Sequence, residues 1–179
     1  AVGADVASQE VSSRTAYSVA IADRNISKGE LVHIPVIADN ANVLLGLQGQ
    51  LQANGLIIKG ITGAAMKITG SDYAVSAGES IRIALASGEG VQVNKGQVLF
   101  VIEAEATQSG KLSDMIQLNT DFNPEMYTAN KQINRFGIQW RNAEVAYPVL
   151  STIAPNPWNA YTEIKFDLPA DGMVTFKVK

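Results

Sequence analysis

Leu31-Val32-His33-Ile34-Pro35-Val36-Ile37 is the stretch of sequence that decides the fold. Apolar side chains recur at every second position, which is the period of a β-strand with one buried face. Val32, Ile34 and Val36 form the predicted buried face, and His33 is predicted to face solvent. Pro35 indicates an edge position or a bulge, because proline cannot donate a hydrogen bond to a neighbouring strand.

Alternating segments of this kind follow one another along most of the chain, separated by short turns rich in Gly, Asn, Asp and Ser. No window has the 3.6-residue period of a long helix. Short strands at regular spacing are typical of a β-sandwich, so the sequence predicts an all-β fold. The predicted strands are 16–22, 31–37, 43–53, 56–61, 66–69, 80–86, 98–106, 115–118, 132–141 and 145–150.

Composition excludes several classes of function. The chain has 179 residues, enough for one well-packed domain and a fragment of a second. Its net charge of −3 gives no electrostatic footprint for nucleic acid. No run reaches the roughly 18 apolar residues of a membrane helix, so we predict no membrane insertion. The sequence contains no cysteine, which rules out disulfides and thiol catalysis.

The residues that could carry catalysis do not form a coherent set. His33 is the single histidine. Glu103 and Glu105 share one face of a predicted strand, a spacing that a glycosidase could use, but alternation makes that face the solvent side. Residues 119–130 begin like a calcium-binding loop, yet they lack the glycine at the sixth position and the glutamate at the twelfth. We therefore predict no catalytic residues, no metal site and no cofactor, and a protein that is not an enzyme.

Aromatic side chains offer a second interpretation. Flat rings can cover the apolar faces of sugars, so exposed aromatics could form a polysaccharide platform. Trp140 is in phase with Phe136 and Ile138, however, which equally fits a place in the core. The candidate aromatics are Tyr17, Tyr73, Tyr127, Trp140, Tyr147, Trp158 and Tyr161.

The C-terminal residues predict a second, incomplete β module. A turn at 155–159 precedes an alternating strand at 162–168, and Ala170-Asp171-Gly172 then forms a hairpin turn before a second strand at 173–178. Two strands with an apolar face are not stable alone in water, so another segment must cover them. The apolar face consists of Ile164, Phe166 and Leu168 on the first strand and of Val174, Phe176 and Val178 on the second.

Five segments of the larger region resemble a cohesin-type jelly-roll domain in their order and spacing, over residues 17–142. The resemblance implies a jelly-roll β-sandwich. The segments are Ser27-Lys28-Gly29-Glu30, Val32-x-Ile34-Pro35-Val36, Leu45-Gly46-Leu47-Gln48, Ile81-Arg82-Ile83-Ala84-Leu85-Ala86 and Gly96-x-Val98-Leu99-Phe100-Val101-Ile102.

Residues 155–178 follow the pattern PNP-x-N-x-x-T-x-I-x-F-x-LP-x-x-G-x-V-x-x-x-V. This pattern resembles the first third of the type A C-terminal sorting domain of proteins exported through the type IX secretion system of Bacteroidota. The resemblance implies an immunoglobulin-like module and an extracellular or cell-surface location.

These observations define four regions and two hypotheses of function. Residues 1–15 are an N-terminal arm, 16–142 a cohesin-like β-sandwich, 143–148 a hinge and 149–179 a partial immunoglobulin-like sorting module. In the arm, Val2, Ala4 and Val6 alternate, so the arm could add as a donor strand to the apolar face of a neighbouring molecule's C-terminal module. Head-to-tail addition of this kind builds filaments, which predicts self-association of a structural or adhesive surface protein, such as a filament or surface-layer subunit. The alternative is a module that binds a polysaccharide or a surface protein.

Overall fold

In the computed structural model, the backbone is described for residues 17–129, 133–142, 149–159 and 161–167, and the side chains for residues 17–129 and 133–142. This part of the chain is almost entirely β-structure, with one α-helix of a single turn. No helix in it is long and apolar enough to cross a membrane. The elements are β1 (Tyr17–Asp23), β2 (Asn25–Ile26), β3 (Leu31–Ala38), β4 (Asn42–Ala53), β5 (Leu56–Gly63), β6 (Tyr73–Ser76), β7 (Ser80–Val93), β8 (Val98–Ala106), β9 (Gly110–Lys111), α1 (Leu112–Met115), β10 (Ile116–Leu118), a 3-10 turn (Thr120–Phe122), β11 (Glu125–Thr128), β12 (Ile133–Asn142), β13 (Val149–Asn159) and β14 (Tyr161–Asp167).

Two layers of sheet enclose the core. The back sheet has the strand order β5-β8-β3-β1-β12, and the front sheet has the order β12-β11-β4-β7-β6, with β10 also paired to β4. Strand β12 belongs to both layers: Ile133 to Arg135 pair with β11, whereas Phe136 to Asn142 run parallel to β1. The sandwich predicted from the sequence is therefore confirmed, and its layers are joined along β12.

Alternation along the strands supplies the core. Val32, Ile34 and Val36 of β3 are buried as predicted, and His33 is exposed. On the opposite layer, Ile83 of β7 faces the same interior. Each fully buried aliphatic side chain of this kind contributes about 1.5–3 kcal/mol to folding, so the core outweighs the surface contacts described below.

One irregularity in β4 interrupts the predicted alternation. The pairing with β7 shifts between Leu44 and Gly46, and both Leu44 and Leu47 are buried, which an unbroken strand would not allow. Leu45 is consequently half-exposed and not in the interior with Leu47. A Cβ on Gly46 would lie 2.5 Å from the backbone oxygen of Leu85, so the close approach of β4 and β7 requires glycine there.

The strand predicted at 80–86 continues to Val93 as β7. Two other predicted strands, 66–69 and 115–118, also differ from the structure. Residues 66–69 form no strand, because the Asp72 carboxylate accepts hydrogen bonds from the Thr69 backbone N–H at 2.6 Å and hydroxyl at 2.7 Å and closes a turn. The predicted strand 115–118 begins one residue later, after α1. Leu112 and Met115 are both buried and lie three residues apart, which is the spacing of one helical turn.

A buried carboxylate joins α1 and β9 to the end of β1. Asp23 accepts hydrogen bonds from the Ser113 backbone N–H at 3.0 Å and from Lys111 Nζ at 2.8 Å, and its side chain is 7% exposed. Burial by itself raises the pKa of this carboxyl. The bonds from Lys111 and Ser113, together with the Lys111 charge, outweigh burial and hold the pKa of Asp23 below its ordinary value.

The C-terminal segment contains the antiparallel hairpin β13–β14. The strand predicted at 162–168 is observed as β14, and the second predicted strand, 173–178, lies outside the described residues. The predicted turn at 155–159 is wrong, because these residues belong to β13 and the chain reverses after Asn159. The pairing is irregular between Ala154 and Asn159, and prolines are tolerated at such interruptions because no ladder hydrogen bond is lost.

Candidate functional site

The outward side of the front sheet carries polar and small side chains in rows that cross the strands. We call these side chains, together with Phe122 from the 3-10 turn, the front surface. The rows are Ile133–Tyr127–Gly46–Ala86, Arg135–Glu125–Gln48–Ala84, Gln50–Arg82–Ala74 and Gln117–Gln52–Ser80–Ser76.

The middle of the front surface carries only short side chains, and we call it the low centre. Gly46, Ala84 and Ala86 have no side-chain atoms beyond Cβ, and Ala84 and Ala86 are exposed. The intervening residues, such as Leu85, point into the core. Gly46 is buried, so an approaching molecule can come close to the backbone of β7 at Ala84 and Ala86, with longer polar side chains on either side of it.

A hydrogen-bond network fixes the polar groups beside this low centre. The carboxylate of Glu125 accepts one bond from Gln48 Nε2 at 2.9 Å and one from the Tyr127 hydroxyl at 2.7 Å. The bond to Glu125, with a smaller contribution from burial, raises the pKa of Tyr127 above its usual range. All three side chains are half-buried, so they are held in place before any partner arrives.

Arg82 and Phe122 meet across β4. The guanidinium carbon of Arg82 lies 4.0 Å from the centroid of the Phe122 ring. Arg82 is on β7, and Phe122 comes from the turn on the other side of β4, where the Asn119 backbone N–H donates to the Gln50 carbonyl. The contact therefore spans Gln50, which is paired directly with Arg82 and is only 8% exposed although it faces outward.

This arrangement leaves the end of the Gln50 side chain unsatisfied. Its Oε1 is enclosed and has no hydrogen-bond partner among the residues with described side chains. An orphaned acceptor costs about 1–3 kcal/mol, whereas a cation–π contact at an exposed site contributes about 0.5–1 kcal/mol. Burying part of the Phe122 ring, which stays 44% exposed, adds a contribution of about 1 kcal/mol. Closing Phe122 over Gln50 is thus nearly balanced in free energy.

The polar residues singled out for catalysis remain on the solvent side of the back sheet. His33 is opposite Glu103 in the pairing of β3 with β8. Glu103 accepts a hydrogen bond from the Thr62 hydroxyl at 2.6 Å, and Glu105 forms an ion pair with Lys59 at 2.9 Å. Among the residues with described side chains, no three of the types His, Cys, Asp and Glu come together as metal ligands would. In the 119–130 loop, the Asn119 side chain accepts from the Asp121 backbone N–H.

The candidate aromatics do not share a face within the described side chains. Tyr17, Tyr73 and Trp140 pack against the core cluster, and Tyr127 lies on the front surface. Sequence reasoning missed Phe122. The signal available for it was one large apolar residue within a polar loop, which carries no period.

The residues predicted for strand exchange can be placed only in part. Ile164 and Phe166 lie on β14, opposite Ile153 and Leu150 of β13. The others lie outside the described residues: Val2, Ala4 and Val6 of the arm, and Leu168, Val174, Phe176 and Val178 of the apolar face.

No family model and no curated protein matches the chain. Its fold is similar to solved cohesin domains. The seventh ScaB type I cohesin of Pseudobacteroides cellulosolvens is 13% identical, with 70% of this chain and 88% of that one covered and a TM-score of 0.51. A chain of the type I cohesin–dockerin complex Coh-OlpA–Doc918 of Clostridium thermocellum is 10% identical, with coverages of 71% and 100% and a TM-score of 0.53. The cohesin CaCohA2 of Clostridium acetobutylicum is 8% identical, with coverages of 70% and 92% and a TM-score of 0.50.

At these identities the likeness establishes the fold. The chain has a cohesin-like β-sandwich, as the sequence predicts. The sorting-domain resemblance of residues 155–178 stays a prediction.

Proposed function

We propose that this protein is a non-catalytic binding module that recognises a polypeptide partner through the front surface. The observation that carries the proposal is the low centre at the exposed Ala84 and Ala86, beside hydrogen-bonding groups already fixed by the Glu125 network. A flat sheet face with approachable backbone suits the close packing of a second protein, which typically buries about 800 Å² per partner. One similar structure is that of a cohesin in complex with a dockerin, which supports a protein as the class of partner.

The distribution of aromatic rings favours a protein over a polysaccharide. A sugar platform needs several rings exposed on one face. Of the candidate aromatics with described side chains, Tyr17, Tyr73 and Trp140 pack on the core, and Tyr127 is the one on the front surface, where its hydroxyl is bonded to Glu125. Phe122, which was not a candidate, contacts Arg82 with its ring. The front surface instead offers amide, carboxylate, guanidinium and hydroxyl groups around small residues, a mixture suited to peptide groups.

A matched pair of variants tests the proposal. Ala84→Arg places a long charged side chain in the low centre, whereas Gln139→Arg places the same side chain on exposed β12 away from it. Proteins captured by the wild-type chain from its source are purified, and their binding is measured by titration calorimetry. We expect Gln139→Arg to bind like wild type and Ala84→Arg to lose at least about tenfold in affinity. Equal affinity of both variants contradicts the choice of surface, and glycan-array binding that Ala84→Arg abolishes contradicts the choice of partner.

We also propose an extracellular or cell-surface location, from the sorting-domain resemblance. Head-to-tail filament assembly remains a prediction, because the donor arm 1–15 and much of the predicted apolar face lie outside the described residues. Deleting residues 1–14 tests it: under strand donation, sedimentation shows monomers or irregular aggregates in place of polymers. Assembly that is unchanged by the deletion contradicts strand donation.

A further inference from the structure

We infer that Gln50 and Arg82 form a subsite for one amide group of the partner polypeptide, and that Phe122 covers this subsite in the free protein. The inference rests on the proposed function, because the subsite lies within the front surface. It goes beyond that proposal by naming the chemical group that the subsite binds and the residue that controls access to the subsite.

The first step is the enclosed acceptor. Gln50 faces outward on β4, yet it is almost completely buried, and within residues 17–129 and 133–142 its Oε1 has no hydrogen-bond partner. In the observed orientation of the terminal amide, the acceptor Oε1 occupies this enclosed position. A buried polar group without a partner is uncommon in a folded protein, so the position calls for a group that is supplied from outside.

The second step is the unused donor beside it. Arg82 is paired directly with Gln50 across β4 and β7. Within the part of the chain whose side chains are described, its guanidinium forms no ion pair and no hydrogen bond, and it contacts the Phe122 ring by its face. A guanidinium carries five N–H donors in its plane, and stacking on a ring leaves them available.

Together, the two side chains match an amide. A peptide group has one carbonyl acceptor for Arg82 and one N–H donor for Gln50 Oε1. A carboxylate would satisfy Arg82, but it would bring a second acceptor against Gln50 Oε1 and leave that atom unpaired. The pair therefore favours an amide, in the backbone or on an Asn or Gln side chain, over an acidic group.

The third step concerns Phe122. Phe122 contacts Arg82 from the other side of β4, and Gln50 lies on β4 directly beside Arg82. We therefore infer that the Phe122 ring spans the Gln50 position and must leave Arg82 before a ligand can reach Oε1. Closure is nearly balanced in free energy, as worked out above, so opening is accessible without a large driving force. The cover lowers the apparent affinity by the fraction of molecules that are open.

The experiment needs no identified partner. The probe is the capped peptide acetyl-Gly-Gly-amide, which presents amides without side chains, and sodium acetate is the carboxylate control. Side-chain N–H signals of Gln50, Arg82 and the exposed Gln52 are followed by ¹⁵N NMR during titration of the wild-type chain, Phe122→Ala, Gln50→Met and the double variant. Gln52→Leu is the matched control on the same strand.

We expect the probe to shift the Gln50 and Arg82 signals but not that of Gln52. Because closure is nearly balanced, about half of the wild-type molecules are open, so the probe is expected to bind Phe122→Ala about twofold more tightly than wild type. In the double variant the Arg82 shift is lost, and Gln52→Leu behaves like wild type. The inference is overturned if Phe122→Ala binds no better than wild type, if Gln50→Met leaves binding intact, if acetate acts like the peptide, or if no protein shows site-specific shifts.

These outcomes are separate from those of the proposed function. If Ala84→Arg abolishes the binding of a purified partner but Gln50→Met does not, the proposed function holds and the subsite is contradicted. If the probe binds at Gln50 but no polypeptide partner is found, the subsite holds and the proposed function is contradicted. Thermal unfolding of each variant confirms that it is folded, and Gln50→Met is expected to melt no lower than wild type because it removes the orphaned acceptor.

Discussion

Asp23→Ala is predicted to destabilise the sandwich more than any change at its charged partner Lys111. Asp23 is nearly buried and accepts the Ser113 backbone N–H at 3.0 Å, so alanine leaves that donor in α1 without a partner. The loss of such an acceptor costs about 1–3 kcal/mol, and the half-buried position of Ser113 places the expected value near 2 kcal/mol. The Lys111 ammonium is about half exposed. Water therefore compensates for most of the interaction with Asp23 that the ammonium loses in the variant.

The assay is urea unfolding followed by circular dichroism, on wild type, Asp23→Ala, Asp23→Asn and Lys111→Met. Asparagine keeps an oxygen that can accept from Ser113 and loses only the charge, so Asp23→Asn is expected to lose less than Asp23→Ala. A domain of this size has a total stability of about 5–15 kcal/mol, so a loss near 2 kcal/mol moves the midpoint measurably. If Lys111→Met lowers the free energy of unfolding as much as Asp23→Ala does, the loss cannot be assigned to the buried acceptor, and the reasoning is refuted.

The same variants give a dependence on pH with a defined sign. The pKa of Asp23 is lowered in the folded protein, so the ionised carboxylate contributes stability above the unfolded pKa, about 3.9, and loses it as the pH falls through the folded value. The gap in stability between wild type and Asp23→Asn should therefore be full near neutral pH and shrink as the pH falls below about 4. A gap that stays constant across this range contradicts the pKa shift.

Three further predictions concern other parts of the sandwich. His33→Gln should change stability by less than about 0.5 kcal/mol, measured by thermal unfolding, because His33 is exposed on the back sheet; a larger loss means that it has an unrecognised partner. Gly46→Ala should cost about 1–3 kcal/mol in urea unfolding, because its Cβ meets the backbone oxygen of Leu85 at 2.5 Å, and a neutral result would show that β7 can move away. A chain ending at Asn142 should still unfold in one cooperative calorimetric transition, because the core of the sandwich is made by elements up to β12; a broad transition contradicts this boundary.

The regular strands could be predicted because their signal is local. β3 and β8 follow from alternation alone, and β8 has the predicted bounds, 98–106. The polar stripe Gln48, Gln50 and Gln52 is also visible in the sequence as the side of β4 opposite Leu47 and Leu51.

What the sequence could not predict depends on tertiary contacts. The shift between Leu44 and Gly46 arises from the close approach of β7, which no period in β4 reports. The turn of α1 is set by the Asp23 carboxylate, ninety residues away from Ser113 in sequence. The contact of Arg82 with Phe122 requires a loop residue to reach across a strand. Local propensity favours none of these three features, and packing creates each of them.

The parallel pairing of β1 with β12 also determines how the sandwich resists a pulling force. Tyr17 lies beside Phe136 and Asp23 beside Asn142, so the chain enters this ladder at one end and leaves it at the opposite end. Tension applied through the two chain ends therefore slides the strands along each other and loads the seven-residue ladder in shear, with all of its hydrogen bonds strained together. An arrangement that unzipped the strands would instead break these bonds one at a time. Rupture under load is governed by the rate of unfolding, and loading all of the ladder bonds at once slows unfolding under force. The sandwich is therefore suited to a position where it carries tension.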